Sequence, residues 1–433
     1  MKPIRLMTLA PGHFHAALVQ KRMTHGVHPR SYVYAPLDAD TVSHLDRVAA
    51  FNARPHDPTR WELDLRSGAN YLDRFLREQP GNTVVLSGKN KPKIDLMQLA
   101  VSNNLHVLAD KPWVIEASDF PKLERLLAEA DAREVLVWDV MTERHEATTR
   151  LQRAFVHDPD IFGGWQVGSA ASPGFTLESV HHLKKTVAGR PLLRPSWWFD
   201  PLISGEAIAD VGTHLVDLAL WFVAGDRPVD YRRDVAVLDA DRWPCVLSPD
   251  QFRDLTGLAA YPPDLAPRVV EGQLYYAGNN SATFALNGVF VKVTTRWECE
   301  EAGGVDTHEA VARGTNATVA VMQPPGQPPT LTLTATDPRN HAALLKAVQM
   351  KYRDVAGDFP GTIIHDRKND IRIDVPDELR TGHESHFGEV LDEFARYFQT
   401  PRAVPPWERP NALAKYFITT KAVELARIKR PTV

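Results

Sequence analysis

Three polar side chains near the middle of the chain have a spacing that suits acid–base chemistry. Asp210, His214 and Asp217 follow one another at intervals of four and three residues, so a helix would place all three on one face. An imidazole accepts a proton from a hydroxyl near neutral pH, and a nearby carboxylate orients the ring and stabilises its charged form. The spacing therefore predicts a general base at His214, supported by Asp210.

The same spacing has two other interpretations. Asp210 can support the start of the helix while His214 and Asp217 pair with each other on a solvated face. A metal site is the third interpretation, but two acids and one histidine without a further ligand are weak evidence for one. We predict no metal.

A lysine follows a short apolar segment earlier in the chain. Residues 106–109 read His-Val-Leu-Ala and predict a buried strand, and Asp110, Lys111 and Pro112 come directly after it. Open parallel sheets bind their ligands at the carboxyl ends of the strands. We therefore expect the Lys111 amine to donate to a substrate oxygen and to stabilise negative charge that develops there. The alternative is a turn with an exposed lysine.

Strands and helices alternate around this lysine. Short apolar segments and amphipathic helical stretches follow one another up to about residue 140, the pattern of βαβ units in a parallel sheet. The fold class predicted for residues 1–139 is α/β, a doubly wound Rossmann domain that binds a dinucleotide. The predicted strands are 4–10, 31–35, 83–87, 106–109 and 135–138, and the predicted helices are 15–23, 94–103 and 122–132.

The pattern changes after residue 139. A predicted helix at 142–155 precedes several period-two strands with few helices between them, which favours an antiparallel sheet. Residues 140–433 are predicted to form an α+β domain with a large, mostly antiparallel open sheet and C-terminal helices. Its predicted strands are 164–168, 273–276, 282–284, 290–295, 317–322 and 330–334.

The composition excludes several classes of partner. A chain of 433 residues exceeds the size of one ordinary core, so two domains are expected. The net charge of -4, with both signs mixed throughout, predicts neither a nucleic-acid nor a membrane partner. The two cysteines, Cys245 and Cys299, cannot form a disulfide framework, and the N-terminal apolar segment is too short for a signal peptide. A cytoplasmic protein is predicted.

Together the two motifs resemble those of the glucose-fructose oxidoreductase, inositol dehydrogenase and MocA-type (Gfo/Idh/MocA) family. In that family Glu-Lys-Pro ends a Rossmann strand, and a helix with the pattern Gly-Gly-Gly-x-x-x-Asp-x-Gly-x-His-x-x-Asp opens the substrate face of the second domain. The corresponding residues here are Asp110-Lys111-Pro112 and Ser204-Gly205-Glu206 followed by Asp210, Gly212, His214 and Asp217. The resemblance covers essentially the whole chain, and its tail resembles a subgroup with a distinctive oxidoreductase C-terminal domain.

The resemblance implies an NAD(P)-dependent oxidoreductase that acts on a CH–OH group. Lys111 would orient the reacting hydroxyl, and His214 would remove its proton as hydride leaves for the nicotinamide, with Asp210 in support. The substrate would carry a secondary alcohol, as in a sugar, a cyclitol or a glycoside. The family also implies a homo-oligomer, a dimer or a tetramer, formed through the open sheet of the second domain.

Two alternatives to a dehydrogenase remain open from the residues. A glycoside-cleaving enzyme would oxidise the sugar transiently and return the hydride within one cycle, so that no net NADH forms. A non-catalytic protein that senses a nucleotide or a sugar is the other alternative, because the phosphate-binding loop has lost two of its three glycines.

That loop contains the first predicted cofactor contacts. The family has G-x-G-x-x-G, whereas this chain has Ala-Pro-Gly-His-Phe-His at 10–15, and His15 would crowd the helix against its strand unless the turn is rearranged. Asp38 follows the second strand with no adjoining arginine, which favours NAD, with NADP as the second choice. The predicted cofactor-binding residues are Ala10, Gly12, His13, Phe14, Asp38, Ser87, Asn90, Asp110, Lys111 and Pro112.

A cluster of aromatic residues before the Asp/His segment predicts the substrate contacts. Aromatic faces stack on sugar rings while polar neighbours bind the hydroxyls, which suits Trp197 and Trp198, and Arg144 is predicted to line the same cleft. Core packing is the competing explanation for the tryptophans. The predicted substrate-binding residues are Lys111, Arg144, Trp197, Trp198, Asp210 and His214.

Overall fold

The computed structural model describes residues 3–299 and 306–431, and the chain divides into two compact units. Unit 1 comprises Met1–Thr142, Leu202–Gly205 and His383–Pro405, and unit 2 comprises Glu143–Pro201, Glu206–Gly382 and Pro406–Val433. These bounds differ from the predicted division at residue 139, because two later segments of the chain, Leu202–Gly205 and His383–Pro405, pack with unit 1.

Unit 1 contains, within its described residues, a six-stranded parallel sheet. Its strands are β1 Leu6–Leu9, β2 Arg30–Ala35, β3 Glu62–Ser67, β4 Thr83–Leu86, β5 His106–Ala109 and β6 Val137–Asp139. Their order is β3-β2-β1-β4-β5-β6, so the direction of winding reverses between β1 and β4. This order is that of the doubly wound dinucleotide-binding fold, and it confirms the predicted α/β class.

The helices of the first 142 residues connect these strands. They are α1 His15–Leu18, α2 Ala39–Ala53, α3 Tyr71–Glu78, α4 Lys93–Ser102 and α5 Phe120–Ala132. The helix predicted at 15–23 is wrong in length, since the amides of Gln20 and Lys21 bond to carbonyls three residues back and leave α1 a single turn. Strand β3 and helices α2 and α3 were not predicted from the sequence.

Unit 2 is built on a large sheet that is mostly antiparallel, as predicted. Among the described residues it runs β10-β12-β13-β7-β14-β15-β16-β18-β17, with β11 beside β12, and only the β13–β7 pair is parallel. The strands are β7 Phe175–His182, β8 Thr186–Val187, β9 Arg190–Pro191, β10 Val235–Leu247, β11 Val269–Val270, β12 Gln273–Leu286, β13 Val289–Glu298, β14 Thr307–Arg313, β15 Ala317–Met322, β16 Thr330–Ala335, β17 Ile363–Asp366 and β18 Ile371–Asp374. The short strands β8 and β9 pair separately.

Two strand predictions in unit 2 need correction. The segment 164–168 forms single bridges, through Trp165 and Gly168, and no strand. The strands predicted at 273–276 and 282–284 are one continuous strand, β12, because its polar middle section stays in the sheet.

The remaining helices lie in unit 2, apart from α10. They are α6 Ala147–Val156, α7 Gly212–Val223, α8 Pro249–Thr256, α9 His341–Val355, α10 His383–Gln399 and α11 Glu408–Lys429. Helix α10 belongs to unit 1, where its Phe387 ring packs against His15 with centroids 4.6 Å apart. In the described part of the chain no helix has both the length and the apolar character needed to cross a bilayer.

His44 in α2 gives unit 1 a predictable response to acid. Both ring nitrogens are buried and have no hydrogen-bond partner among the described residues, and burial lowers the pKa of His44 to about 4. The unfolded chain takes up this proton near its ordinary pKa of about 6.5, so stability falls as the pH drops between the two values. This loss of unfolding free energy amounts to at most about 1.4 kcal/mol per pH unit, and we expect His44→Leu to remove it.

Urea denaturation at about pH 7 and about pH 5 measures this difference. The exposed His25 provides the matched control, because His25→Gln changes a histidine of the same unit without removing a buried imidazole. Equal acid sensitivity of wild type and His44→Leu would contradict the prediction.

Candidate active site

In unit 1 the loops after β1, β4 and β5 meet at the carboxyl edge of the sheet. The amides of Gly12 and His13 donate to the Ser87 carbonyl oxygen over 3.0 and 3.1 Å. The Ser87 hydroxyl in turn donates to Oδ2 of Asp110 over 2.8 Å. Four of the predicted cofactor-binding residues are thus connected by hydrogen bonds, at the edge where such folds bind their ligands.

Close packing of the loops after β1 and β4 depends on two small residues. Ala10 adopts a φ of 45°, a left-handed conformation that glycine usually fills, at the position of the family's first glycine. A Cβ on Gly88 would lie 2.4 Å from the Ala10 carbonyl oxygen and 3.3 Å from the Gly12 amide nitrogen. Gly88 therefore allows the backbone of the two loops to approach each other, and it was not among the predicted site residues.

His15, at the position of the third glycine, begins the single turn of α1, and its ring contacts Asp110 and Phe387. Its Nδ1 lies 3.0 Å from Oδ2 of Asp110, and the ring packs on Phe387. Burial lowers the pKa of His15 well below its usual value despite the attraction of Asp110. Burial alone would raise the pKa of Asp110, but the neighbouring His15, His13 and Lys93 outweigh it and hold this pKa well below its usual range.

A buried lysine clamps the backbone on both sides of Lys111. The Lys93 ammonium donates to the carbonyl oxygens of Asp110 at 2.7 Å and Pro112 at 3.1 Å, and to Oδ1 of Asn90 at 2.6 Å. Lys111 itself is buried, and the peptide bond to Pro112 is cis. Lys93 was not predicted as a site residue, because one lysine among three within five residues carries no distinguishing signal.

Three other predicted cofactor residues have roles within unit 1. The side-chain amide of Asn90 donates to the Ser204 carbonyl oxygen over 2.6 Å, which binds Leu202–Gly205 to this unit. Asp38 caps α2 by accepting from the Thr41 amide over 2.9 Å. Phe14 stands directly before α1. Their contacts with a dinucleotide stay predictions.

In unit 2 the predicted helix face is only partly correct. Helix α7 begins at Gly212, so His214 and Asp217 lie on it, whereas Asp210 lies in the turn that precedes it. The amide of Asp210 donates to the Glu206 carbonyl oxygen over 3.0 Å, and that of Gly212 donates to the Ala207 carbonyl oxygen over 2.9 Å. The acid and the imidazole are therefore held by a turn and by the first helical residues, respectively.

A buried carboxylate anchors this turn. Glu206, at the family's third glycine position, is fully buried and accepts from Arg242 Nη1 and from Arg427 Nε, each at 2.7 Å. The amide of Ile208 donates to Oδ1 of Asn280, in β12, over 3.1 Å. Side chains of two strands and of α11 therefore fix the segment that carries Asp210.

Asp210 lies within electrostatic reach of two buried groups. Burial raises the pKa of Tyr276 well above its usual value, and Asp210 adds to this effect. Burial lowers the pKa of Arg194 to about 10, and the Tyr276 phenol, Asp306 and Asp210 all oppose that shift. His214 is also buried, with an exposed fraction of 7%. The segment thus presents a buried imidazole and a partly buried acid.

Asp217 does not lie on a solvated face. It is buried and accepts from Nε and Nη2 of Arg144, each at 2.6 Å, and from the Lys415 ammonium at 2.9 Å. Burial would raise the pKa of Asp217, but the two cations hold it far below its usual range. Arg144 also donates to Glu408 over 2.7 Å, and these partners favour a structural role over its predicted contact with substrate.

Of the two tryptophans predicted to contact a sugar, one lies in the hydrophobic core and the other at its edge. Trp198 has an exposed fraction of 3% and packs in a cluster with Phe199, Tyr276 and Trp297. Trp197 is partly buried at the edge of the same cluster. Core packing is therefore the better explanation for Trp198, and a substrate contact of Trp197 stays a prediction.

Residues 151–427 match the family described as "Putative oxidoreductase C terminal domain". The chain belongs to this family. A solved structure described as a "putative oxidoreductase" from Parabacteroides merdae is 38% identical to this chain and superimposes with a TM-score of 0.95. The match covers 99% of this chain and 98% of the Parabacteroides chain. The family and subgroup predicted from the two motifs and the tail are therefore confirmed.

More distant structures share the fold of this oxidoreductase family. A 3-ketoreductase from Actinomadura kijaniata, solved with NADP and TDP-benzene, is 14% identical, covers 96% of each chain and has a TM-score of 0.55. Biliverdin reductase from Synechocystis, solved with biliverdin and NADP+, is 10% identical, covers 98% of this chain and 99% of its own, and has a TM-score of 0.58. A search of curated proteins found no match.

Proposed function

We propose that the chain is an oxidoreductase that uses NAD, or alternatively NADP, to oxidise a secondary hydroxyl of a sugar, cyclitol or glycoside. One observation carries the proposal. The winding of the parallel sheet reverses between β1 and β4, and the polar loops that follow these two strands and β5 meet at that point. Doubly wound sheets bind dinucleotides in this crevice. The NADP complexes of the two distant reductases support the same cofactor class.

The residues at this edge fit a dinucleotide. The left-handed turn at Ala10 and the missing side chain of Gly88 let the loops after β1 and β4 pack closely at the switch point, where such folds bind the dinucleotide. Asp38 follows β2 and is exposed, where an acid binds ribose hydroxyls, so NAD is favoured. The other residues assigned to the cofactor are the remaining members of the predicted set: Gly12, His13, Phe14, Ser87, Asn90, Asp110, Lys111 and Pro112.

We assign the proton chemistry to three residues. When bound, the nicotinamide supplies a hydride acceptor. His214 takes the proton of the reacting hydroxyl, and Asp210 holds the charge that this places on the imidazole. Lys111 orients the same hydroxyl by donating to its oxygen. The hydrogen bonds from Lys93 to the carbonyl oxygens of Asp110 and Pro112 hold the backbone of Lys111 in place.

A substitution at Gly88 tests the cofactor part of the proposal. The new Cβ of Gly88→Ala would meet the Ala10 carbonyl oxygen and displace the turn, so we expect NAD to bind at least about tenfold more weakly, a loss of about 1.4 kcal/mol. Calorimetric titration with NAD and NADP measures the change. Gly357→Ala is the matched control, because no atom of the residues that the structure describes lies within 4 Å of a Cβ at that glycine.

The outcomes separate the proposed function from its alternatives. Failure of the wild-type chain to bind either dinucleotide would overturn the proposal, and unchanged affinity in Gly88→Ala would remove the loop from the site. Turnover of sugars, cyclitols and glycosides is then followed by NADH absorbance and by sugar release. Net NADH supports a dehydrogenase, whereas sugar release without net NADH would replace it with a glycoside-cleaving enzyme.

A further inference from the structure

Two histidines and one carboxylate converge beside the turn after β1. His13 and His15 reach Oδ2 of Asp110 with their Nδ1 atoms at 3.5 and 3.0 Å. One ligand atom of each of the three residues lies within 4.8 Å of the others. His15 and Asp110 are buried, and the side chain of His13 is 17% exposed, so one side of the cluster is open to entry.

The separations match those between the ligands of one metal ion. In a tetrahedral site with bonds of about 2.0–2.1 Å, neighbouring ligand atoms lie about 3.3 Å apart. The two separations at Asp110 fall on either side of that value. The His13 and His15 rings are perpendicular, with centroids 4.1 Å apart, so two imidazoles approach the carboxylate from different directions.

The bonding of Asp110 is uneven in a way that a metal would explain. Its Oδ2 faces both histidines and also accepts from the Ser87 hydroxyl, whereas its Oδ1 is buried with no hydrogen-bond partner among the described residues. A network held by hydrogen bonds alone would distribute donors over both oxygens, because an unpaired buried acceptor is unfavourable. A cation bound by both oxygens of the carboxylate would satisfy Oδ1, and the Ser87 hydroxyl would orient Oδ2.

We propose that His13, His15 and Asp110 form a binding site for a divalent transition metal, with Zn²⁺ as the best match. Two imidazoles and one carboxylate are a ligand set that Zn²⁺ uses when a fourth position remains open. Ca²⁺ and Mg²⁺ are disfavoured, because they prefer sites made entirely of oxygen ligands. The site uses none of the residues of the Asp210–His214–Asp217 segment, for which no metal was predicted.

Metal binding to the chelator-treated full chain tests this inference without substrate or dinucleotide. We expect one equivalent of Co²⁺ to bind and to give the intense visible absorption of a four-coordinate site, and Zn²⁺ to displace it. His13→Gln should weaken binding at least about tenfold, and Ser87→Ala by about 10- to 100-fold. His25→Gln, at an exposed histidine of the same unit, should bind as the wild type does.

His13 is the decisive position because it is the least buried of the three ligands, and circular dichroism of His13→Gln verifies that the variant is folded. The inference is overturned if the wild type binds no Co²⁺ or Zn²⁺, or if folded His13→Gln binds them with wild-type affinity. Because the readout is metal binding alone, its failure is distinguishable from a failure to bind NAD.

Discussion

His214→Gln is expected to lower kcat by about 10²- to 10⁴-fold, the usual contribution of a general base. Glutamine has a similar length and retains a polar end, but it cannot accept the proton of a substrate hydroxyl near neutral pH. The imidazole lies in the first turn of α7, behind a turn anchored by the carboxylate of Glu206 and the amide of Asn280. Those anchors do not involve the imidazole, so the variant should remain folded.

The measurement is NADH formation with the best substrate from the sugar, cyclitol and glycoside screen. His365→Gln is the control, since His365 lies on β17 at the edge of the large sheet and pairs with Asp374. The NAD dissociation constant of both variants should equal that of the wild type. A folded His214→Gln enzyme whose kcat stays within about tenfold of the wild type would remove His214 from the proton transfer.

The fold of unit 1 was predictable where strands are buried on both faces. The apolar segments that became β1, β4 and β5 read as strands because nearly all of their residues are buried. Strand β3 reads Glu-Leu-Asp-Leu-Arg-Ser and is only partly buried at the sheet edge, so it lacked that signal. In β12 the polar Asn279 and Asn280 broke the apolar pattern, although both are buried and bond to backbone amides.

Of the candidate site, only the residues that lie within short sequence motifs could be predicted. Lys111, Asp210 and His214 stand in short patterns that a single chain displays. The partners that position them do not: Asp110 meets His15 across 95 residues, and Asp217 meets Lys415 across 198. Local spacing therefore suggested that Asp217 pairs with His214, whereas tertiary packing supplies two cations with stronger attraction.

Asp217→Ala is expected to lower the free energy of unfolding by about 3–5 kcal/mol, because it leaves Arg144 and Lys415 buried beside an absent carboxylate. Urea denaturation measures the loss. The lowered pKa of Asp217 also sets the sign of a pH effect: its contribution is complete above the unfolded pKa of about 3.9 and declines as the pH falls below it. The variant should therefore lose less stability than the wild type in that acidic range.

The matched control lies on α11, the helix that also carries Lys415. Lys421 and Glu424 form a half-exposed pair, so Glu424→Ala should change stability by less than about 1 kcal/mol. A similar loss in both variants would show that the burial of Asp217 adds nothing.

Because Asp217 shares α7 with His214, the network also holds the helix that presents the base. Asp217→Ala should thus lower kcat without changing NAD affinity, whereas an unchanged kcat would separate the packing of α7 from the placement of its imidazole.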